Sequence, residues 1–151
     1  MIQKKAQLIQ IKGNTYAAKG DTNHWVVMDT KPAVGGHGAG ASPKELLLFA
    51  IGGCTSSDVI SILNKRRVDI KHYELFLSAT ERDEHPKIFT EVHIEYIFYG
   101  DNLKPADIEK AIDLSVTKYC GVSAMVQPTV KLTHTYRIEP AERIPTTVDM
   151  S

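Results

Sequence analysis

The stretch SPKELLLFAIGGCTSSDVISILNKRR, residues 42–67, is the main indicator of the fold, because it predicts one long helix with a well-marked start. Ser42 is a favoured N-cap, Pro43 suits the first helical position, and Glu45 stands where it can close a capping box with Ser42. The cations at residues 65–67 suit a helix C-terminus. We therefore predict a helix that begins at Pro43 and runs through residue 67.

This helix is apolar on most of its circumference, which predicts burial against more than one layer. Gly52 and Gly53 lie in its middle, where each costs about 1 kcal/mol relative to alanine. Two glycines at such a place indicate the close approach of another backbone. We expect a central helix that crosses a helix or a sheet.

Before the helix, short alternating runs at residues 7–11, 15–18 and 25–28 predict a three-stranded antiparallel meander. The glycine-rich residues 34–41 have neither periodicity nor bulk, so we expect a mobile or closely packed loop there. This loop lacks the lysine and following Ser/Thr of a phosphate-binding loop, which argues against a nucleotide site.

After the helix, the sequence predicts a hairpin of two long strands, then a helix pair and a last strand. We expect these elements at residues 70–80, 89–99, 103–116, 122–126 and 130–138. Strands and helices in this order predict an α+β fold class. The length of 151 residues fits a single domain, placed at residues 1–140, with a polar C-terminal tail at 141–151.

Composition indicates which kinds of partner and which cellular compartment to expect. The chain has 18 Lys and Arg against 18 Asp and Glu, so no basic surface favours nucleic acid or a membrane. The N-terminus lacks the apolar run of a signal peptide, and we expect no segment with the roughly 20 apolar residues of a membrane span. These features predict a cytoplasmic protein with reduced thiols and with small-molecule or protein partners.

The two cysteines differ in local context. Cys54 lies mid-helix, one turn before the carboxylate of Asp58, which favours a buried and inert thiol. Cys120 stands at the helix break that Gly121 predicts, beside Lys118, which makes it the more reactive thiol on local grounds. The cysteine spacing fits neither a CxxC redox pair nor a zinc site, and the histidines are scattered, so we predict no bound metal.

Three segments together resemble the OsmC/Ohr superfamily, and within it the YhfA-like branch. They are residues 42–54, 58–63 and 118–123, and the order of strands and helices resembles that family over nearly the whole chain. The resemblance implies an OsmC-like fold in which antiparallel sheets surround a long central helix. It also implies an intertwined homodimer whose two central helices are enclosed by sheets from both chains.

The resemblance further implies that Cys54 and Cys120 meet in a pocket at the dimer interface. In peroxidase members the first cysteine attacks an organic hydroperoxide, the second closes a disulfide, and an external dithiol of the lipoyl type restores both, with no bound cofactor. The family supports this chemistry with an arginine from the N-terminal strands and a glutamate directly after the helix-starting proline. Here no arginine precedes Arg66, and the glutamate stands one position later, at Glu45.

Two main hypotheses follow. The first is a thiol-dependent, peroxiredoxin-like organic hydroperoxide reductase linked to oxidative stress, with Cys54, Cys120 and Glu45 as its catalytic residues. The second is an inactive or weakly active dimer of the same fold that binds a small apolar ligand at the interface, motivated by the missing arginine and by Asp58 beside Cys54. A third hypothesis is that the protein is a redox-regulated interaction protein.

Overall fold

The computed structural model describes residues 1–147, so residues 148–151 of the predicted polar tail lie outside the described part. The chain divides into two compact units, Met1–Phe49 and the remainder from Ala50 onward. The boundary of the single domain at residue 140 stays a prediction.

The first unit contains the predicted antiparallel meander. Strands β1 (Ala6–Lys12), β2 (Thr15–Gly20) and β3 (Val26–Met28) pair in that order, and both pairings are antiparallel. Gly13 takes a positive φ of 55° in the turn between the first two strands, a conformation that glycine adopts without strain. The prediction of the meander is confirmed.

The glycine-rich loop after β3 is closely packed. Gly36 shows this most clearly, because a Cβ there would lie 1.9 Å from the carbonyl oxygen of Thr30. The buried carboxylate of Asp29 anchors the loop by accepting hydrogen bonds from the backbone N–H groups of Thr30, His37 and Ala39. Of the two alternatives for this loop, the structure contains the packed one.

Helix α1 (Pro43–Lys65) begins where the sequence predicts. The Ser42 N–H donates to Glu45 Oε2 at 2.7 Å, and the Glu45 N–H donates to Ser42 Oγ at 3.3 Å, which is the capping box. The helix ends at Lys65, slightly earlier than predicted, because Arg67 takes a left-handed φ of 57°.

Within the second unit, α1 crosses a sheet at Gly52. A Cβ on Gly52 would lie 2.9 Å from Cδ1 of Leu77 and 3.1 Å from Cδ2 of Leu75. Both leucines belong to strand β4 (His72–Glu81), and they pack against α1 where the glycine has no side chain. Gly53 has nothing within 4 Å of the same hypothetical atom. The expected crossing of helix and sheet is confirmed at Gly52, but leucine side chains rather than another backbone approach this glycine, and among the described residues nothing approaches Gly53.

The sequence prediction that no segment reaches the length and hydropathy of a membrane span is wrong for α1. This helix has 23 residues and a mean hydropathy of 1.8 in its most apolar window, which is long and apolar enough to cross a membrane. The core helix of a soluble protein passes the same test. Only 28% of that window is buried within one chain, so one chain alone does not supply the burial on several sides that we expect.

The second unit holds a mixed sheet in the order β4, β5 (Phe89–Tyr99) and β6 (Lys131–Glu139). Strands β4 and β5 form the predicted antiparallel hairpin, but β6 pairs with β5 in parallel, which corrects the expectation of purely antiparallel sheets. The physical reason is the helical crossover between β5 and β6, which returns the chain in the direction of β5. The core of the unit includes the fully buried Tyr96 and Phe98.

The crossover contains α2 (Pro105–Leu114), a π-helical turn (Ser115–Tyr119) and α3 (Gly121–Val126). The sequence predicts the α2 and α3 pair, but it does not predict the π-helical turn between them. This turn sets the position of Cys120, which follows it directly.

Candidate functional site

Cys54 and Cys120 lie together in the second unit. The two sulfur atoms and a carboxylate oxygen of Asp58 all lie within 4.8 Å of one another. Cys54 and Asp58 reach this place because residues four apart share one face of α1. The structure therefore brings together the two cysteines that the family resemblance predicts to meet.

The π-helical turn positions Cys120. The Cys120 N–H donates to the Ser115 carbonyl at 2.9 Å, a bond across five residues that widens the last turn of the helix. Cys120 itself is extended, with φ −71° and ψ 97°, and is only 4% exposed. The helix therefore breaks at Cys120, one residue before the predicted break at Gly121.

The Cys120 sulfur is the N-cap of α3. It accepts hydrogen bonds from the backbone N–H of Ser123 at 3.4 Å and from the Ser123 hydroxyl at 3.0 Å. These two bonds hold the Cys120 sulfur at the N-terminus of α3.

Cys54 is half-buried and has a less favourable environment for a thiolate. Burial raises the pKa of the Cys54 thiol, and the neighbouring Cys120 and Asp58 raise this pKa further. A hydrogen bond from the Val122 backbone N–H acts in the opposite direction. The net direction is upward, so the Cys54 thiol holds its proton more tightly than a free cysteine does.

A chain of buried hydroxyl groups ends on Asp58. Ser115 Oγ donates to Asp58 Oδ2 at 3.1 Å, Thr55 Oγ1 lies 2.9 Å from Ser115 Oγ, and the Tyr96 hydroxyl lies 2.7 Å from Thr55 Oγ1. Because each hydroxyl has one proton, Ser115 can donate to Asp58 only if Thr55 donates to Ser115 and Tyr96 donates to Thr55. Burial raises the pKa of Tyr96, which keeps this first donor protonated. The chain therefore fixes the orientation of Asp58.

Sequence reasoning missed this chain and the role of Ser123. Thr55 and Asp58 carry the one available signal, since they are polar residues inside a strongly apolar helix. Tyr96 and Ser115 come from other elements and give no such signal, because only folding brings them to α1.

A cavity of about 320 Å³ adjoins Asp58. Its other lining residues are Ser61, Ile62 and Lys65 of α1, then Arg66, Leu114 and Tyr119. The Arg66 guanidinium is paired with Asp107 at 2.6 Å. Asp58, the carboxylate beside the cysteine pair, therefore lines a cavity that could hold a small molecule or an ion.

Glu45 belongs to the first unit and is exposed. Hydrogen bonds from the Ser42 backbone N–H and hydroxyl hold the pKa of the Glu45 carboxyl below its ordinary value. Its observed contact is the capping box, and its catalytic role stays a prediction.

Comparison with known proteins identifies the family. Residues 36–135 match the model of the family described as OsmC-like protein. Protein YhfA of Escherichia coli strain K12 is 37% identical over 138 residues, which cover 91% of this chain and 99% of YhfA.

Solved structures agree with this result. A hypothetical protein from Aquifex aeolicus VF5 has 33% identity and a TM-score of 0.82, covering 93% of this chain and 98% of that one. An organic hydroperoxide resistance protein OsmC from Legionella pneumophila is 13% identical with a TM-score of 0.68, covering 90% and 97% of the two chains, and it shares the fold alone. The predicted OsmC-like fold is confirmed, and the chain belongs to the OsmC-like protein family.

Proposed function

We propose that the protein is a thiol-dependent peroxidase that reduces organic hydroperoxides. The observation that carries this proposal is the approach of the Cys54 and Cys120 sulfurs to within 4.8 Å. Both thiols are free, and they lie close enough to be candidates for a disulfide. The solved structures of organic hydroperoxide resistance proteins with the same fold agree with this class of reaction.

The reaction balances with two thiols and one hydroperoxide. The Cys54 thiol takes the distal oxygen of ROOH, which breaks the O–O bond and releases the alcohol ROH, and the thiol becomes a sulfenic acid. The Cys120 thiol then displaces water from the sulfenic acid and forms the Cys54–Cys120 disulfide. An external dithiol reduces this disulfide to two thiols and is itself oxidised to a disulfide.

Burial supports the assignment of the two roles. Cys54 is half-buried, whereas Cys120 is buried and held by Ser123. The attacking sulfur must meet a bulky hydroperoxide, which favours the more accessible Cys54. The resolving sulfur must meet only Cys54, so the burial of Cys120 does not oppose its role.

The test is stoichiometric treatment of the reduced protein with cumene hydroperoxide, followed by thiol titration and intact mass. We expect the loss of two thiols and one intramolecular disulfide. The Cys54→Ser variant should consume no peroxide, and the Cys120→Ser variant should hold a sulfenic acid that dimedone traps. Wild-type protein whose thiols survive this treatment would contradict the proposal.

Glu45 belongs to this proposal as a charged supporting group. The Glu45→Gln variant separates this role from capping, because glutamine also closes a capping box. We expect Glu45→Gln to fold with unchanged helix content and to consume hydroperoxide more slowly. Unchanged kinetics would restrict Glu45 to its capping role.

A second candidate function is an OsmC-fold protein that binds a small apolar ligand without turnover. Asp58 beside Cys54 and the absence of any arginine before Arg66 favour it. This candidate predicts a Cys54 alkylation rate near that of an unactivated thiol at pH 7 and a ligand that co-purifies, detected by mass spectrometry. Rapid peroxide consumption would reject it.

We also propose that the protein is a homodimer in the cytoplasm. Large apolar side chains on β1 are exposed on both faces, as Leu8 and Ile9 show, and Phe49 on α1 is 57% exposed. A second copy would cover such surfaces as a domain core does. Sedimentation equilibrium should give twice the chain mass of 16.8 kDa, and cell fractionation should place the protein in the soluble fraction.

A further inference from the structure

Three groups that ligate metals converge from two elements. The sulfurs of Cys54 and Cys120 and an oxygen of Asp58 lie within 4.8 Å of one another. In a tetrahedral zinc site, with zinc–sulfur bonds near 2.3 Å, the ligand atoms are about 3.8 Å apart. The three groups are therefore close to a ligating arrangement.

Each of the three groups accepts a hydrogen bond from a neighbouring donor. Cys120 accepts two hydrogen bonds from Ser123, and Asp58 accepts one from Ser115. Cys54 receives one from the backbone N–H of Val122. Each group thus has its own donor, as metal ligands generally do.

The three groups need a counter-ion once both thiols have lost their protons. The observed donor to the Asp58 carboxylate is the neutral Ser115 hydroxyl. Two thiolates and a carboxylate within 4.8 Å of one another would repel, and a divalent cation bound among them removes this repulsion.

We infer that the reduced protein binds one zinc-class divalent cation through Cys54, Cys120 and Asp58. Two thiolates select a soft or borderline metal over magnesium or calcium, which prefer oxygen ligands. Three protein ligands leave a fourth coordination position, which water or an external thiol fills from the adjoining cavity. The hydroxyl chain, whose last donor is Ser115, orients the Asp58 carboxylate for this role.

Metal binding and disulfide formation exclude each other, because both use the same two sulfurs. Binding of the cation releases the protons of the two thiols to the solvent and changes no oxidation state. Oxidation of the thiols to the disulfide removes both sulfur ligands and releases the cation. This site does not depend on hydroperoxide reduction, since it needs only reduced thiols and the carboxylate.

The test is titration of the fully reduced protein with Co²⁺ without peroxide, followed by competition with Zn²⁺. We expect sulfur-to-cobalt charge-transfer absorption and the visible bands of a tetrahedral site, which saturate at one ion per chain and disappear on addition of Zn²⁺. Absence of these bands in protein whose two thiols are titratable would overturn the inference, whether or not the protein reduces hydroperoxides.

The variants test the ligand set. Cys54→Ser and Cys120→Ser should each reduce the charge-transfer absorption and the affinity. Asp58→Asn should weaken Zn²⁺ binding by about tenfold or more, measured against a chromophoric chelator. The matched control is Asp113→Asn, an exposed aspartate on α2, which should keep wild-type affinity.

A folding defect is separable from the loss of a ligand. Asparagine at residue 58 can still accept the hydrogen bond from Ser115, and circular dichroism and a thermal transition check the fold of each variant. Zn²⁺ should also slow alkylation of the wild-type thiols but not of the thiols in Asp58→Asn at the same concentration. Equal Zn²⁺ affinity in Asp58→Asn and wild type would remove Asp58 from the site and overturn the three-ligand inference.

Discussion

Cys54 and Cys120 are the same residue type, and their neighbours make them different thiols. Ser123 donates two hydrogen bonds to Cys120, whereas burial, Cys120 and Asp58 all raise the pKa of Cys54. Solvent and substrate reach Cys54 more easily, because Cys54 is half-buried and Cys120 is buried. The reactivity of Cys54 therefore depends both on its accessibility and on its raised pKa.

Removal of the Asp58 charge should activate Cys54. In a Cys120→Ser background, Asp58→Asn should lower the pKa of Cys54, because it removes a negative charge that disfavours the thiolate. Cys54 should then react faster with iodoacetamide at pH 7 in the presence of a chelator. Asp113→Asn in the same background is the control and should react at the parent rate. A rate unchanged by Asp58→Asn would mean that Asp58 does not influence the thiol.

At the scale of elements, the hydroxyl chain joins α1, β5 and the π-helical turn. Thr55 is its central member, and it lies between the buried hydroxyls of Tyr96 and Ser115. Both neighbours depend on it, because Tyr96 loses its acceptor and Ser115 loses its donor if Thr55 has no hydroxyl. The chain thus links the helix that carries Cys54 to the turn that places Cys120.

Thr55→Val should lower the free energy of unfolding by about 1–3 kcal/mol, because it leaves buried hydroxyls without their partners at almost constant shape. Urea denaturation measures the change. Thr129→Val, at an exposed threonine, is the matched control and should change stability by less than about 0.5 kcal/mol. Equal effects of the two variants would contradict the role of the chain.

The loop after β3 should be sensitive to acid. Although burial alone would raise the pKa of Asp29, hydrogen bonds from Ala39, Thr30, Thr15 and His37 lower it from 3.8 to about 2. A depressed pKa in the folded state means that the stabilisation is present above the unfolded pKa and is lost as the pH falls through the folded value.

We therefore expect the wild type to lose stability between about pH 4 and pH 2 relative to Asp29→Asn, which has no charge to lose. Urea unfolding midpoints of both proteins across this range measure the difference. Parallel pH profiles would show that the Asp29 carboxylate does not contribute to acid sensitivity.

At the scale of the whole molecule, the exposed face of α1 bears on the proposed dimer. A Cβ at Gly53 meets no atom of the described residues within 4 Å, so replacement of this glycine should add helix propensity of up to about 1 kcal/mol. In a dimer whose helices cross at this face, the same side chain would separate them.

Gly53→Leu should therefore weaken self-association while keeping the helix content of the protomer. Sedimentation velocity over a concentration series measures the association, and circular dichroism measures the helix. Ala106→Leu is the control, because Ala106 is an exposed small residue on α2, and it should associate as the wild type does. A Gly53→Leu variant that associates as the wild type does would remove this face from the proposed interface.

Much of the fold can be predicted from local signals. Ser42, Pro43 and Glu45 predict the start of α1, and the capping box forms between the same groups. Alternating apolar residues predict the meander and the hairpin. These predictions succeed because caps, turns and side-chain periodicity depend on residues close together in the chain.

The parallel pairing of β6 and the π-helical turn have no comparable local signal. The direction of β6 depends on how the crossover returns to β5, and the turn depends on a backbone bond from Cys120 to Ser115. The polar residues Thr55 to Asp58 interrupt the apolar run of α1, but its mean hydropathy still reaches that of a membrane span.

Local sequence signals predict the α+β class and the place of the central helix. The family resemblance predicts the pair of cysteines that meet. The surroundings of that pair follow from the tertiary structure, because Ser115 and Tyr96 reach Asp58 and Thr55 on α1 from distant parts of the chain. Helix caps and strand periodicity are set by neighbouring residues. The charge balance around a thiol is set by every group within a few ångströms, and those groups become neighbours only when the chain folds.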